Sequence, residues 1–248
     1  MNISEIQSIH KGSMAFVVGS GPSIHYQNIN PLSDYITIAI NASIAKISNA
    51  DYFLSDDEDI INWSYYNQIL AKNNTKCFFY IRKLKNLTKM IPEERIIWFD
   101  HKTWYNPITG EKPKDGLFMT DDASLPIIGA RNSLASAIHI AYIMKCNPIV
   151  ILGADCCLDN GKKYYWQFDN EPKVYRTDGK SLFYRATGKI NNKVVDNHTK
   201  EFLSYWNELA EQTKKQNINI INASGGIMES FPRMTLEEIL EKYGNNRK

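Results

Sequence analysis

Seven short apolar runs recur along the chain, each rich in β-branched or aromatic residues and each closed by a small or polar one. Continuous apolar runs of this length predict strands buried on both faces of a sheet, rather than half-exposed strands with alternating polarity. They span residues 14–19, 35–40, 51–55, 76–81, 95–99, 148–153 and 217–222. Between them, apolar residues at helical spacing predict helices over 59–72, 132–145, 199–216 and 235–243. The second is apolar nearly all round and should be buried; the third is strongly amphipathic. The last opens with Thr235 and carries Glu238 three residues on, a capping-box pattern, with Gly244 as its expected stop. Strands alternating with helices predict an α/β fold: a mostly parallel sheet with helices on both faces.

Two stretches break the alternation. Residues 104–126 are rich in Gly, Pro and Asp; residues 160–197 are polar and aromatic. Long insertions of this kind in a compact fold are usually functional or disordered, and both follow a strand or its neighbourhood. They are expected to act as lids over the sheet's carboxyl edge, within a single α/β nucleotide-binding domain spanning 1–248. No internal repeat or linker divides the chain.

Composition narrows the classes. The chain has 248 residues, 43% hydrophobic and 23% charged, enough for a full core and too apolar for disorder. A net charge of +2 with mixed signs argues against a nucleic-acid-coating protein. No apolar run approaches the ~20 residues of a membrane span, and the polar start lacks signal-peptide features. The four cysteines, Cys77, Cys146, Cys156 and Cys157, have no metal-ligand spacing. Buried small hydrophobes in a reducing cytoplasm are the simplest reading.

The candidate chemistry lies at strand ends. Gly19, Ser20, Gly21, Pro22 and Ser23 follow the first strand and precede an expected helix. A backbone without side chains admits a phosphate or ribose, and helix-start N–H groups favour negative charge. Pro22 fits the first helical turn. The pattern lacks the third glycine of a dinucleotide fingerprint, where Ile24 stands, and the Gly-Lys-Ser/Thr of a P-loop. A bare strand-to-helix turn is the alternative. Asn41, closing the second strand, could bond a base or sugar, or simply make a turn. Asp56, Asp57, Glu58 and Asp59 close the third and could hold Mg²⁺, or favour a helix start. Arg131 precedes the apolar helix, where an unpaired guanidinium would be costly, and suits an anionic ligand. Asp155 follows the sixth strand and could orient a ligand hydroxyl or cap a turn. Residues 222–226 form another small-residue turn, a second wall for the site or a plain loop; residues 231–233 read as packing. His198, just before the amphipathic helix, suits a general base near neutral pH or a surface helix cap. His10, His25, His101 and His139 are weaker candidates, the last reading as structural.

The residues Gly19 to Ser23, Asn41, and the run from Arg131 to Ser136 before Ile149 to Asp155 resemble bacterial sialyltransferases of the Campylobacter capsule and lipooligosaccharide type. They are similar too to flagellin-modifying Maf proteins, to archaeal 6-hydroxymethylpterin diphosphokinases of the MptE-like family, and to phage-encoded relatives. The resemblance covers most of the chain in element order and is specific at three short patches. It implies a Rossmann-like fold of the GT-A variant, a CMP-sugar donor, no metal, and inversion at the anomeric carbon. The first-turn residues, Asn41, Ser133 and Asp155 would hold the nucleotide, with Arg131 in the donor site. Tyr164 or Tyr165 would match a tyrosine that stabilises the leaving phosphate, and His198 the family's base. Three departures stand out: Cys156 and Cys157 replace an expected aromatic pair, the spacing at Arg131 differs, and His198 lies closer to its helix.

For the leaving phosphate, Arg131, Tyr164, Tyr165, Lys162, Lys163, Arg176 and Arg185 are available. Three functions compete. The first is glycosyl transfer from a CMP-sugar to a glycan or small-molecule acceptor, without a metal. The second is an MptE-like diphosphokinase using ATP with Mg²⁺ on Asp56, Asp57 and Asp155. The third is a non-catalytic sugar-nucleotide binding protein. A cytoplasmic protein, with peripheral attachment to the inner membrane and homo-oligomers left open, completes the expectation.

Overall fold

A computed structural model describes every residue except 85–89, 104–118, 130–131, 172, 183–185 and 197–198. The strands are β1 (Ala15–Val18), β2 (Ile36–Ile40), β3 (Tyr52–Ser55), β4 (Lys76–Tyr80), β5 (Ile96–Phe99), β6 (His101–Thr103), β7 (Ile127–Gly129), β8 (Ile149–Leu152), β9 (Ala186–Ile190), β10 (Lys193–Asp196) and β11 (Ile220–Asn222). The α-helices are α1 (Tyr65–Ala71), α2 (Ile81–Leu84), α3 (Ser133–Ile143), α4 (Thr199–Lys215) and α5 (Leu236–Tyr243).

Seven strands form one sheet in the order β11-β8-β1-β2-β3-β4-β5, and every pair in it is parallel. These are the seven apolar runs. Successive side chains leave opposite faces. Ala15 and Val17 join a core with Ile138 and Ala141 of α3 and Trp206 and Leu209 of α4. Phe16 and Val18 join the other core, with Tyr66 and Ile69 of α1 and Ile239 of α5. Both faces are therefore covered, as an all-parallel sheet requires. This is the expected α/β, Rossmann-like arrangement.

The chain runs outward from β1 to β5, then returns to the other flank of β1 as β8. The strand order reverses between β1 and β8, and ligands of open α/β sheets sit outside the carboxyl ends at such a point. The outer strands are partly covered: Trp98 of β5 donates its N–H to Met1 O at 3.2 Å, and Asn222 of β11 donates to Pro232 O at 2.8 Å.

Local structure departs from expectation in several places. The helix after the first turn is only a 3-10 turn, Pro22–Tyr26, with Pro22 in its first position. The first long helix starts at Tyr65, not 59. Residues Glu58–Asn62 form a 3-10 turn, and Trp63 then bridges to Arg176 of the second insertion, interrupting the helix. Asp57 caps that turn, accepting from Asp59 N–H at 3.0 Å, so the acidic run does serve a helix start. The capping box at α5 is present: Glu238 N–H donates to Thr235 Oγ1 at 3.2 Å and Thr235 N–H to Glu238 Oε2 at 2.7 Å. Gly244 ends α5 in right-handed geometry, so the stop does not exploit glycine's left-handed freedom.

The second insertion contains a 3-10 turn, Tyr165–Phe168, and the antiparallel hairpin β9–β10. Most of the first lies outside the described residues. All four cysteines are free, three of them buried. Among the described residues, no helix is long and apolar enough to cross a membrane.

Candidate functional site

A cleft of about 290 Å³ opens at the carboxyl ends of β1 and β8. Its walls come from five places: Gly19 to Pro22 after β1, Asn41 after β2, Asn132 and Ser133 at the start of α3, Gly153 to Leu158 after β8, and Lys163, Tyr164 and Trp166 of the second insertion. Asp196 and Thr199, where β10 gives way to α4, close it.

Glycines let the two central strand ends meet. A Cβ on Gly21 would fall 2.1 Å from Asp155 Oδ2, and one on Gly226 would fall 2.0 Å from the Asp155 carbonyl oxygen. Asp155 is thereby enclosed, at 3% exposure. Its Oδ2 accepts from Ser23 N–H at 3.2 Å and Ser23 Oγ–H at 3.0 Å, which ties the first turn to the end of β8. Burial raises its pKa above the usual carboxylate value, against those two bonds. The small-residue turn at 222–226 backs Asp155 rather than lining the cleft, and Arg233 steadies it by donating to Ser224 O at 3.1 Å. Phe231 packs on Trp206.

Asn41 has left-handed backbone (φ +50°), and its Oδ1 is buried without a partner. Ser20 Oγ donates to Ile40 O at 3.2 Å, joining the first two turns. Asn132 caps α3 through Oδ1, which accepts from Ala135 N–H at 3.0 Å, while its Nδ2 is buried and unpartnered. Ser133 Oγ donates to Asp56 Oδ1. Asp57 lines the cleft beside it.

On the opposite wall, Tyr164 stacks on Trp166 at 4.4 Å between centroids, and Trp166 meets Trp63 edge-on at 6.1 Å. Lys163 is ion-paired with Asp196. Burial opposes its charge, but Tyr164 and Asp196 outweigh burial and hold its pKa above the ordinary lysine value. Burial raises that of Tyr164, with Lys163 pulling the other way.

Of the residues singled out in the sequence, Gly19, Ser20, Gly21, Pro22, Asn41, Ser133, Asp155 and Tyr164 thus share one cleft. Two do not line it. Ser23 spends its hydroxyl on Asp155, and Tyr165 is buried with its hydroxyl donating to Ala42 O at 2.8 Å. Arg131, Arg185 and His198 lie outside the described residues. Arg176 is bound to Asp59 and Asp178, at 2.9 and 2.6 Å, and Lys162 sits 4.4 Å from the Phe168 ring centre. Among the described residues, no three His, Cys, Asp or Glu side chains gather as a metal cage. Trp63, Trp166 and Asp196 were not legible as cleft residues, because packing of the second insertion brings them there.

The family described as 6-hydroxymethylpterin diphosphokinase MptE-like matches residues 1–161. The chain belongs to this MptE-like family. The matched part runs through β8 and Asp155, so this MptE-like chain takes both halves of the switch point from the family region and its cover from the remainder. Its fold is similar to that of a Maf glycosyltransferase from Magnetospirillum magneticum AMB-1, with TM-score 0.52 and 12% identity. That match covers 99% of this chain and 40% of the Maf protein, so the chain spans less than half of that relative's length. A second similar structure is the sialyltransferase CstII from Campylobacter jejuni in complex with a substrate analogue, cytidine-5'-monophosphate. It aligns with TM-score 0.44 and 13% identity over 95% of this chain and 99% of that one. No curated protein matches the chain.

Proposed function

We propose that the cleft binds a nucleotide-activated donor and that the protein is a transferase, in the leading reading a sialyltransferase-like glycosyltransferase with a CMP-sugar donor. One observation carries this. The turns after β1, β2 and β8 and the start of α3 converge on a single cleft at the switch point.

In this reading Gly19, Ser20, Gly21 and Pro22 take the nucleotide backbone-first, with Asn41 and Ser133 bonding base or sugar. Asp155 acts from behind, holding Ser23 and so the shape of the turn. The acceptor hydroxyl oxygen attacks the anomeric carbon as the bond from that carbon to the phosphate oxygen breaks. His198 takes the hydroxyl proton, and the nucleotide leaves with the bonding pair. Arg131 and the Tyr164 hydroxyl stabilise the charge developing on that phosphate. Support for His198 and Arg131 comes from their chain neighbours: Asp196 and Thr199 flank the first, Asn132 follows the second, and all three line the cleft. Tyr165 drops out of the catalytic set. No metal is required, and the acceptor is a glycan or small molecule. We propose a cytoplasmic protein of bacterial or phage origin.

A second reading, Mg²⁺-dependent diphosphoryl transfer from ATP, is favoured by the family's own description and by Asp57 lining the cleft beside Asp56. Mg²⁺ is commonly held by one or two carboxylates plus substrate phosphates, which Asp56 and Asp57 could supply.

A thermal-shift panel of CMP, CDP, UDP, GDP, ADP and ATP, each with and without Mg²⁺, separates the two. A ligand that binds only the native state raises Tm, by an amount that grows with the logarithm of its concentration over Kd. Stabilisation by CMP without metal is expected. A response confined to ATP with Mg²⁺ overturns the glycosyltransferase reading in favour of the second. Binding without turnover of any donor and acceptor pair would leave a sugar-nucleotide binding protein.

A further inference from the structure

Among the described residues that line the cleft, the charged ones are three carboxylates, Asp57, Asp155 and Asp196, and one cation, Lys163. A nucleotide brings further negative charge into that space. We infer that Lys163 is a cation that receives the ligand's phosphate, held in place by Asp196 and Tyr164. This rests on the nucleotide reading of the same cleft.

The lysine is built into the site. Its side chain is 26% exposed, and that of Asp196 is 7% exposed. Its ammonium lies 5.5 Å from the centre of the Tyr164 ring. Backbone bonds fix the segment that carries it: Lys163 and Tyr164 N–H both donate to Gln167 Oε1, at 2.7 and 2.9 Å. The next residue, Tyr165, donates its N–H to Ser20 O at 3.1 Å and its hydroxyl to Ala42 O. The lysine is therefore registered against the first and second turns, the walls assigned to the nucleotide.

Asp196 does not depend on Lys163 alone. Its Oδ1 accepts from Thr199 Oγ–H at 3.0 Å, at the start of the 17-residue helix α4, where negative charge is favoured. An ammonium has three donors, and a carboxylate shared in this way leaves it cationic character to offer a phosphate. Asp196 keeps the lysine from being a buried unpaired charge when the cleft is empty. Tyr164, at its side, would bond the same phosphate group. Lys163 would thus contact the ligand, while Asp196 is a positioning residue.

The test is calorimetric binding of CMP and of cytidine to the full chain. In the parent protein CMP should bind more tightly than cytidine. Lys163→Met should lose on the order of tenfold or more in CMP affinity, with cytidine unchanged; Lys163→Arg should retain most of it. Lys163→Met removes the counter-charge of Asp196, so the double variant Lys163→Met, Asp196→Asn is measured as well. If the lysine only neutralises Asp196, the double variant binds CMP like the parent, and the inference is overturned. If the lysine holds phosphate, the double variant stays as weak as Lys163→Met. A parent that binds cytidine and CMP equally also overturns the inference but leaves the nucleoside part of the site standing. A parent that binds neither removes the CMP reading itself, and this inference with it.

Discussion

Gly19 and Gly153, at the ends of adjacent parallel strands, lie so close that neither has room for a side chain. A Cβ on Gly19 would stand 2.7 Å from Gly153 O, and one on Gly153 would stand 2.8 Å from Gly19 O and 2.7 Å from Ile24 Cγ1. Gly153 also has φ +66°, a conformation that L side chains rarely adopt. Strain and overlap therefore act together at that position. Gly153→Ala is expected to cost roughly 2–4 kcal/mol, read as a lower midpoint in urea unfolding. It should also widen the switch point and weaken any nucleotide-induced thermal shift beyond what the lost stability explains.

His198→Ala tests the proposed base. Removing a general base commonly lowers turnover by about 10²–10⁴-fold. We expect a loss of that size in sugar transfer, with Tm and CMP affinity close to the parent's. Transfer at the parent rate would reject the assignment.

His139 gives the stability a pH dependence. It is buried in α3, its Nδ1 accepts from Ile128 N–H at 2.9 Å, and its Nε2–H donates to Thr120 O at 2.8 Å. Burial lowers its pKa from 6.5 to about 4, so the folded protein holds the ring neutral. Between those values the unfolded chain binds the extra proton. The contribution is thus fully present above pH 6.5 and is lost as pH falls towards 4. At about 1.4 kcal/mol per pKa unit this amounts to roughly 3 kcal/mol. His10, also held below its ordinary pKa chiefly by burial, acts in the same direction. Urea unfolding at pH 5 and pH 7.5 should show the parent weakening more on acidification than His139→Gln. Equal slopes would contradict the assignment.

Arg95, 5% exposed, donates to three backbone carbonyls: Thr75 O at 3.1 Å, Ile69 O at 2.7 Å and Leu70 O at 3.5 Å. The last two end α1, so the guanidinium serves as its cap. Arg95→Met should destabilise the fold by roughly 2–4 kcal/mol, because these carbonyls lose a charged donor. An unchanged unfolding midpoint would show that water replaces it.

The sheet was legible because each strand is buried on both sides and so is apolar without interruption, as in Phe16, Val17 and Val18. The helices facing it were legible by spacing, but their starts were not always. The break before α1 depends on Trp63 pairing with Arg176, more than a hundred residues away. The β9–β10 hairpin is mostly exposed and carries little apolar signal. Its one cue is the pair Asn191 and Asn192, both at positive φ (+48° and +62°), a common hairpin-turn choice. The turn residues of the cleft could be read because close strand ends demand small side chains. The pairing of Lys163 with Asp196 could not, since it depends on how the second insertion folds back.

The bonds along the two outer strands bear on how copies of this chain could meet. An uncovered strand edge invites another chain to add itself to the sheet. Here the N–H of Trp98 on one flank and of Asn222 on the other already have partners within the same molecule. At those two positions, a second copy would have to displace the chain's own backbone before it could extend the ladder, which steers any self-association towards side-chain contact between helices or loops.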